Sequence, residues 1–165
     1  MLKLIMMTTS GDDVIRPDKA LKYFELAKFQ ANLFSKDPST KVGALFLAPK
    51  SFQVLCQGFN GFPRNIDETK EERWARPEKL KWISHAEANC ISNACRHGTP
   101  LEGCIAVVTM FPCISCAKLM IQAGVSFVVT KYPDFGCERW GEEFKFSHDM
   151  FKEAGVNIIY IDHAK

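Results

Sequence analysis

The sequence predicts an α/β fold: a three-layer α/β/α sandwich built on a mixed five-stranded sheet with helices on both faces. Three observations carry this. Short, β-leaning apolar runs alternate with helical patterns, glycines close the helical patterns, and 165 residues that are 47% hydrophobic suffice for one sizeable core. The later strands, each reached through a helix, are expected to run parallel with right-handed crossovers. No internal repeat, low-complexity tract or linker divides the chain, so a flexible lead over 1–15 and a single domain over 16–165 are expected.

Residues 2–7 are apolar but far too few for a signal segment with its flanks or for a membrane span, and read as part of that lead or as an extra strand. Pro17 and Asp18 open a helix, because proline suits a first turn and an acid there complements the dipole. Leu21, Phe24, Ala27, Ala31 and Phe34 recur at three- or four-residue spacing, with Lys22, Glu25 and Asn32 on the other side. The pattern stops at Ser35-Lys36-Asp37-Pro38, since proline disfavours helical geometry in the residue before it. Runs 41–47 and 53–59, around the Ala48-Pro49-Lys50-Ser51 break, make a hairpin. From 60 to 81 periodicity disappears, and so long an irregular segment in a compact domain is expected to be functional or disordered. A helix over 86–96 closed by Gly98 follows, then a strand over 105–110, a helix over 113–123 closed by Gly124, and a strand over 127–131. Trp140, Phe144, Ser147, Phe151 and Ala154 share one helical face, whose aromatics are expected to be core, before a last strand over 156–161.

Composition narrows the function classes. A formal charge of +2 is too small for a protein that coats duplex nucleic acid, whereas a small anionic substrate is compatible with it. Seven cysteines, an odd number in a chain with an ample core, indicate reduced thiols rather than a disulfide framework, hence a cytoplasmic protein, or one of the host cytoplasm if the source is viral. No membrane association is expected.

The chemistry concentrates in two stretches, Ser84-His85-Ala86-Glu87 and Pro112-Cys113-Ile114-Ser115-Cys116. One imidazole and two thiolates are three zinc ligands that leave a fourth position open, the ligand count of a catalytic site. Residues two apart on an ideal helix point about 200° from one another, so His85 and Glu87 can serve one site only at a first turn, with His85 still leaving the loop. Cys113 and Cys116, three apart, are neighbours on one helical face. The positive end of that helix stabilises thiolates. Glu87, left unligated, can act as base and then as acid, provided a dry, anionic neighbourhood raises its pKa. Alone, Cys-x-x-Cys fits a redox dithiol or half of a structural zinc site equally well. The upstream His-x-Glu, and the lack of a second pair among Cys56, Cys90, Cys95, Cys104 and Cys137, favour an open catalytic site. Cys90, Cys95 and Cys104 are expected to be small buried hydrophobes. Arg64, Arg73, Arg76, Lys79 and Lys81 stand among as many acids and are expected, for the most part, to be solvated charges.

His-x-Glu followed by Pro-Cys-x-x-Cys is the signature of zinc-dependent nucleobase deaminases. Together with Ser35-Lys36-Asp37-Pro38, Lys41-Val42-Gly43-Ala44 and Gly58-Phe59-Asn60-Gly61-Phe62-Pro63, it resembles the deoxycytidylate (dCMP) deaminase family of the cytidine deaminase superfamily, over nearly the whole chain. The resemblance implies a cytidine deaminase-like fold, one catalytic Zn2+, and hydrolysis of dCMP to dUMP for thymidylate synthesis. It implies that Glu87 exchanges protons between water, cytosine N3 and the departing amine. By the same carry-over Asn60 meets the sugar or base, Ser35 and Lys36 lie near the 5′ phosphate, Ala86 lines the substrate, and Tyr132 closes over the pocket. Many relatives are hexamers activated by dCTP and inhibited by dTTP, so the resemblance implies a homo-oligomer with a regulatory site around Asn60, Gly61, Phe62 and Arg64, where a triphosphate would bring Mg2+. One departure stands out: cellular members carry an arginine just before the serine, and this chain has Phe34. Lys36, Arg64, Lys131 or Arg139 is left to meet the phosphate, or the pocket takes a triphosphate such as dCTP. Alternatives are a deaminase of nucleosides, tRNA or single-stranded DNA, the balanced charge weighing against polymers, and a zinc scaffold without chemistry, against which Glu87 argues.

Overall fold

Along the chain run helix α1 (Pro17–Phe34), strands β1 (Gly43–Leu47) and β2 (Val54–Phe59), and a short helix α2 (Lys79–Trp82). Helix α3 (Ala86–Arg96), strand β3 (Ile105–Val108), helix α4 (Ile114–Gln122), strand β4 (Phe127–Thr130), helix α5 (Gly141–Glu153) and strand β5 (Asn157–Tyr160) complete it. This is a computed structural model describing residues 14–161. The reading of 2–7 as a lead or extra strand lies outside them. Ile15, at the end of the expected lead, is fully buried among α1 and the sheet.

The sheet order is β2-β1-β3-β4-β5. β1 is antiparallel to both β2 and β3, while β3, β4 and β5 are parallel, giving the predicted mixed five-stranded sheet. The parallel strands are buried on both faces, as such strands must be when helices cover the sheet. Alternation of side chains sorts the core in two. Leu45, Leu47, Val107, Val129 and Ile159 pack with Ala20, Phe24 and Ala27 of α1. Ala44, Phe46, Ala106, Val108, Val128 and Ile158 pack on the other side with Ala86 and Cys90 of α3, Ala117 and Met120 of α4, and Phe144 and Phe151 of α5.

Two glycines set how closely the helices approach. A Cβ at Gly43 would overlap the Ala27 carbonyl oxygen of α1, and one at Gly58 would overlap the Ala86 carbonyl oxygen and come within 2.6 Å of Cys90 N in α3. The buried Gln30 amide donates to the carbonyls of Ala44 and Gly58, at 3.1 and 2.7 Å, and ties α1 to the hairpin.

Several expectations are corrected. Phe34, placed on the buried face of α1, is 55% exposed and stacks on Phe59. Its position at the last helical residue turns it past the core edge. Cys95 is exposed, whereas Cys90 and Cys104 are buried as expected. Ala154 caps α5 and is exposed. The irregular segment after Asn60 holds a 3-10 turn (Glu71–Arg73) and α2. Within it Lys79, expected to be solvated, is 2% exposed because Asp37 neutralises it inside the fold.

Candidate active site

Both ligand-bearing stretches begin helices. His85 is the N-cap of α3 and Cys113 the N-cap of α4, each in extended backbone geometry with no side-chain capping hydrogen bond. Serine, threonine, asparagine or aspartate at such positions typically contributes about 1 kcal/mol. Imidazole and thiol forgo that gain, and their freed side chains face each other. His85 Nδ1 lies 3.4 Å from Cys113 Sγ and 3.5 Å from Cys116 Sγ. All three ligand atoms fall within 4.8 Å of one another. Bonds of about 2.0 Å to nitrogen and 2.3 Å to sulfur in a tetrahedron need ligand separations of roughly 3.6 Å, so the trio fits a zinc ion.

The electrostatics agree. Burial, above all, raises the Glu87 carboxyl to about 7, against which its own backbone hydrogen bond and His85 act. It is 4% exposed and stands outside the ligand trio. Hydrogen bonding from Cys116, offset in part by burial and helped by His85, holds the Cys113 thiol far below its ordinary range. Cys116 moves the opposite way, first because its neighbour takes the charge. Only a cation between them would let both sulfurs ionise. A contact with Cys113 holds His85 above the ordinary imidazole value despite its burial.

A cleft of about 130 Å³, open to solvent, leads down to this trio. Its walls include Asn60, Lys79, Ala86, Glu87, Trp140 and Phe144, with Arg76 and Arg139 among the lining. Phe144 and Phe151 are buried as expected, Phe144 also lining the cleft, while Trp140, the N-cap of α5, is half-buried at its wall.

The structure brings His85, Ala86, Glu87, Cys113 and Asn60 to one cleft, with Cys116 beside them in the ligand trio and Arg139 in the lining, and places Ser35, Lys36, Gly61, Phe62, Arg64 and Tyr132 outside it. The Asn60 side chain accepts from Val42 N and Ser35 Oγ, both at 2.8 Å, and donates to Asp37 Oδ2 at 3.1 Å and the Thr40 carbonyl at 2.8 Å. An amide has two donors and two lone pairs. All four are engaged, so Asn60 shapes the wall. Ser35 is sealed behind it, 3% exposed, and Lys36 pairs with Glu68. Tyr132 is 54% exposed and packs edge-on to Phe135 and Tyr160. Gly61 bridges to Ser84, fixing the residue before His85. Phe62 stacks on Trp74, and Arg64 donates to Asn93 Oδ1 at 2.6 Å. Arg64 and Asn93 border a second concavity with Leu55, Gln57 and Thr99.

Sequence reasoning missed the partner of Asp37. Lys79 Nζ donates to both Asp37 carboxylate oxygens at 2.8 Å and to Ser39 Oγ at 2.7 Å. It also missed the contact of Cys56 Sγ with Cys90 Sγ at 3.2 Å. Neither has a periodic signature. The hint for Lys79 is the lone Asp37 in a Ser-x-Asp-Pro turn.

Comparison with known proteins now decides the family. The profile of the cytidine and deoxycytidylate deaminase zinc-binding region matches residues 17–132. The chain belongs to this family. It is 39% identical over 144 residues to an uncharacterized deaminase encoded in the luxG 3′ region of Aliivibrio fischeri, covering 86% of this chain and 92% of that one. With the human deoxycytidylate deaminase it shares 34% over 145 residues, 83% of this chain and 76% of the relative. The crystal structure of dCMP deaminase from the cyanophage S-TIM5, in complex with dCMP and dUMP, superposes with a TM-score of 0.69 at 24% identity, over 88% of this chain and 98% of the other. That likeness shows the shared fold. The protein is a deaminase, a hydrolase acting on a C–N bond, with a zinc-binding site. No described helix is long and apolar enough to cross a membrane.

Proposed function

We propose that this deaminase hydrolyses deoxycytidine monophosphate to deoxyuridine monophosphate and ammonia. The observation that carries the reading is Glu87, a buried carboxyl raised to about 7 beside a zinc-fitting His85, Cys113 and Cys116 trio at the floor of an open cleft. Zinc, when bound there, supplies the Lewis acidity that brings a water to nucleophilicity near neutral pH. His85 and the two cysteines hold it, and the N-termini of α3 and α4 favour the anionic charge. The Glu87 carboxylate accepts one proton of the water attacking cytosine C4 and donates it to N3, then takes the other from the new C4 hydroxyl as the carbonyl forms and delivers it to the amine, which leaves as ammonia. A group near pH 7 exchanges protons in both directions with little cost. Ala86 and Phe111 wall the ring's end of the cleft, and Asn60 keeps the wall in place through Asp37 and Thr40.

The wider proposal follows the family resemblance: dUMP feeds thymidylate synthesis in a reducing cytoplasm, and dCTP with Mg2+ activates while dTTP inhibits. A homo-oligomer is part of it, supported by the exposed apolar stripe of Leu26, Phe29 and Leu33 along α1. The test is ammonia release from dCMP, dCTP, deoxycytidine and a cytosine-bearing oligonucleotide, with the two triphosphates added in turn. Turnover of the oligonucleotide with none of dCMP replaces this reading by a polymer-editing one. Full zinc without turnover of any base leaves a scaffold.

A further inference from the structure

We propose that Arg76 and Arg139, on two separate segments at the mouth of the cleft, are the specificity-determining pair that receives the 5′ phosphate of the nucleotide. The inference rests on the dCMP reading and deepens it. The other cations that the sequence offers for the phosphate are committed elsewhere. Lys36 is paired with Glu68, Arg64 with Asn93, and Lys131 lies 6.0 Å over the Phe24 ring, on the α1 face of the sheet. Lys79 lines the cleft, but all three of its donors are spent on Asp37 and Ser39, so that pair adds no net charge. Phe34, where the family resemblance implies an arginine, stacks on Phe59 outside the cleft lining.

What remains in the lining is two guanidinium groups. Among the described residues neither has an ion pair, and the one recorded contact is Arg139 over the Trp140 ring at 4.8 Å, which orients its plane. Both are exposed, whereas Glu87 and Cys113 at the floor are 4% and 8% exposed. A nucleotide has the same polarity: its base is buried for reaction and its phosphate stays near water, where a doubly charged group keeps most of its solvation. Guanidinium offers a planar fork that matches phosphate oxygens in pairs.

The test compares kcat/KM for dCMP with that for deoxycytidine in the zinc-loaded protein. Arg76→Ala and Arg139→Ala should each lower the dCMP-to-deoxycytidine ratio by about 10- to 100-fold, the range of a hydrogen bond to a charged group, and the double variant further. Arg139→Lys should restore part of the ratio, and Lys131→Ala, a charge-loss control outside the cleft, should leave it unchanged. Thermal melts should stay close to the wild type because both side chains are exposed. A wild type that shows the preference, with a ratio that survives in the double variant or collapses in Lys36→Ala instead, overturns the assignment and leaves the dCMP reading standing. A wild type with no preference for the phosphorylated substrate overturns both.

Discussion

Replacing Lys79 with methionine tests the buried ion pair behind the cleft wall. The side chains of Lys79 and Asp37 are 3% and 2% exposed, and the ammonium makes three hydrogen bonds of 2.7–2.8 Å. Removing one member of such a pair costs about 3–5 kcal/mol, because the survivor is left charged and dry. Here the two directions differ. Without Lys79, the Asp37 carboxylate still accepts from Ser39 N, Ser39 Oγ, Thr40 N and Asn60 Nδ2, so Lys79→Met belongs near 3 kcal/mol. Without Asp37, the ammonium keeps Ser39 Oγ alone, and Asp37→Ala belongs near 5 kcal/mol. Burial pushes the Asp37 carboxyl up, but Lys79 and the Ser39 and Thr40 donors outweigh it, and the net shift is downward from the ordinary 3.8. A depressed carboxyl contributes stability above its unfolded pKa and loses it as pH falls through the folded one. The Lys79→Met penalty should therefore be full at neutral pH and shrink below about pH 4. Urea unfolding at fixed protein and zinc concentration measures it. A penalty under about 1 kcal/mol with an unchanged m-value, or one that grows on acidification, would refute the reasoning.

Further outcomes follow from other parts of the site. Glu87→Gln should retain zinc at full stoichiometry while kcat falls by at least ~10². In the metal-free protein the same change should stabilise: a carboxyl raised from 4.5 to about 7 by burial makes the wild type lose stability across that window, up to about 3 kcal/mol, as linkage requires. The two unfolding curves should coincide below it. Gly58→Ala forces α3 away from the sheet and should cost about 1–3 kcal/mol or more together with activity, whereas Gly43→Ala displaces α1 and should cost stability while the folded fraction keeps its turnover. Chelation should abolish activity and expose a fast-reacting thiolate, which Cys113→Ser should remove, because that thiol lies well below the ordinary thiol pKa once the metal is gone.

Much of this was legible from the chain. His85 before an apolar helical pattern and Gly98 after it bounded α3, which spans Ala86–Arg96. Proline at 38, with no β-branched run before it, ended α1 at Phe34. The trio was legible too, because cysteines three apart and a histidine at a helix start are local signals. What escaped is tertiary. Lys79 sits in a mixed-charge stretch without periodicity, so nothing local distinguishes a solvated lysine from one buried on Asp37. Asn60 reads as a turn residue, and its four bonds run to Ser35, Asp37, Thr40 and Val42, distant in sequence. Trp140 shares a helical face with Phe151, yet that face splits between core and cleft because α5 starts at the cleft's edge.

The fixed Asn60 amide also bears on how the protein ages. Asparagine before glycine is the step most prone to spontaneous succinimide formation, in which the next backbone nitrogen attacks the side-chain carbonyl. In the native fold that nitrogen donates to the Ser84 carbonyl at 3.1 Å and the amide is held by four partners, so the attack is restrained. Once the chain opens, the restraint is gone. An aspartate formed there would return facing the Asp37 carboxylate, two like charges in a buried wall, so heat damage becomes permanent through one lost ammonia on the protein itself.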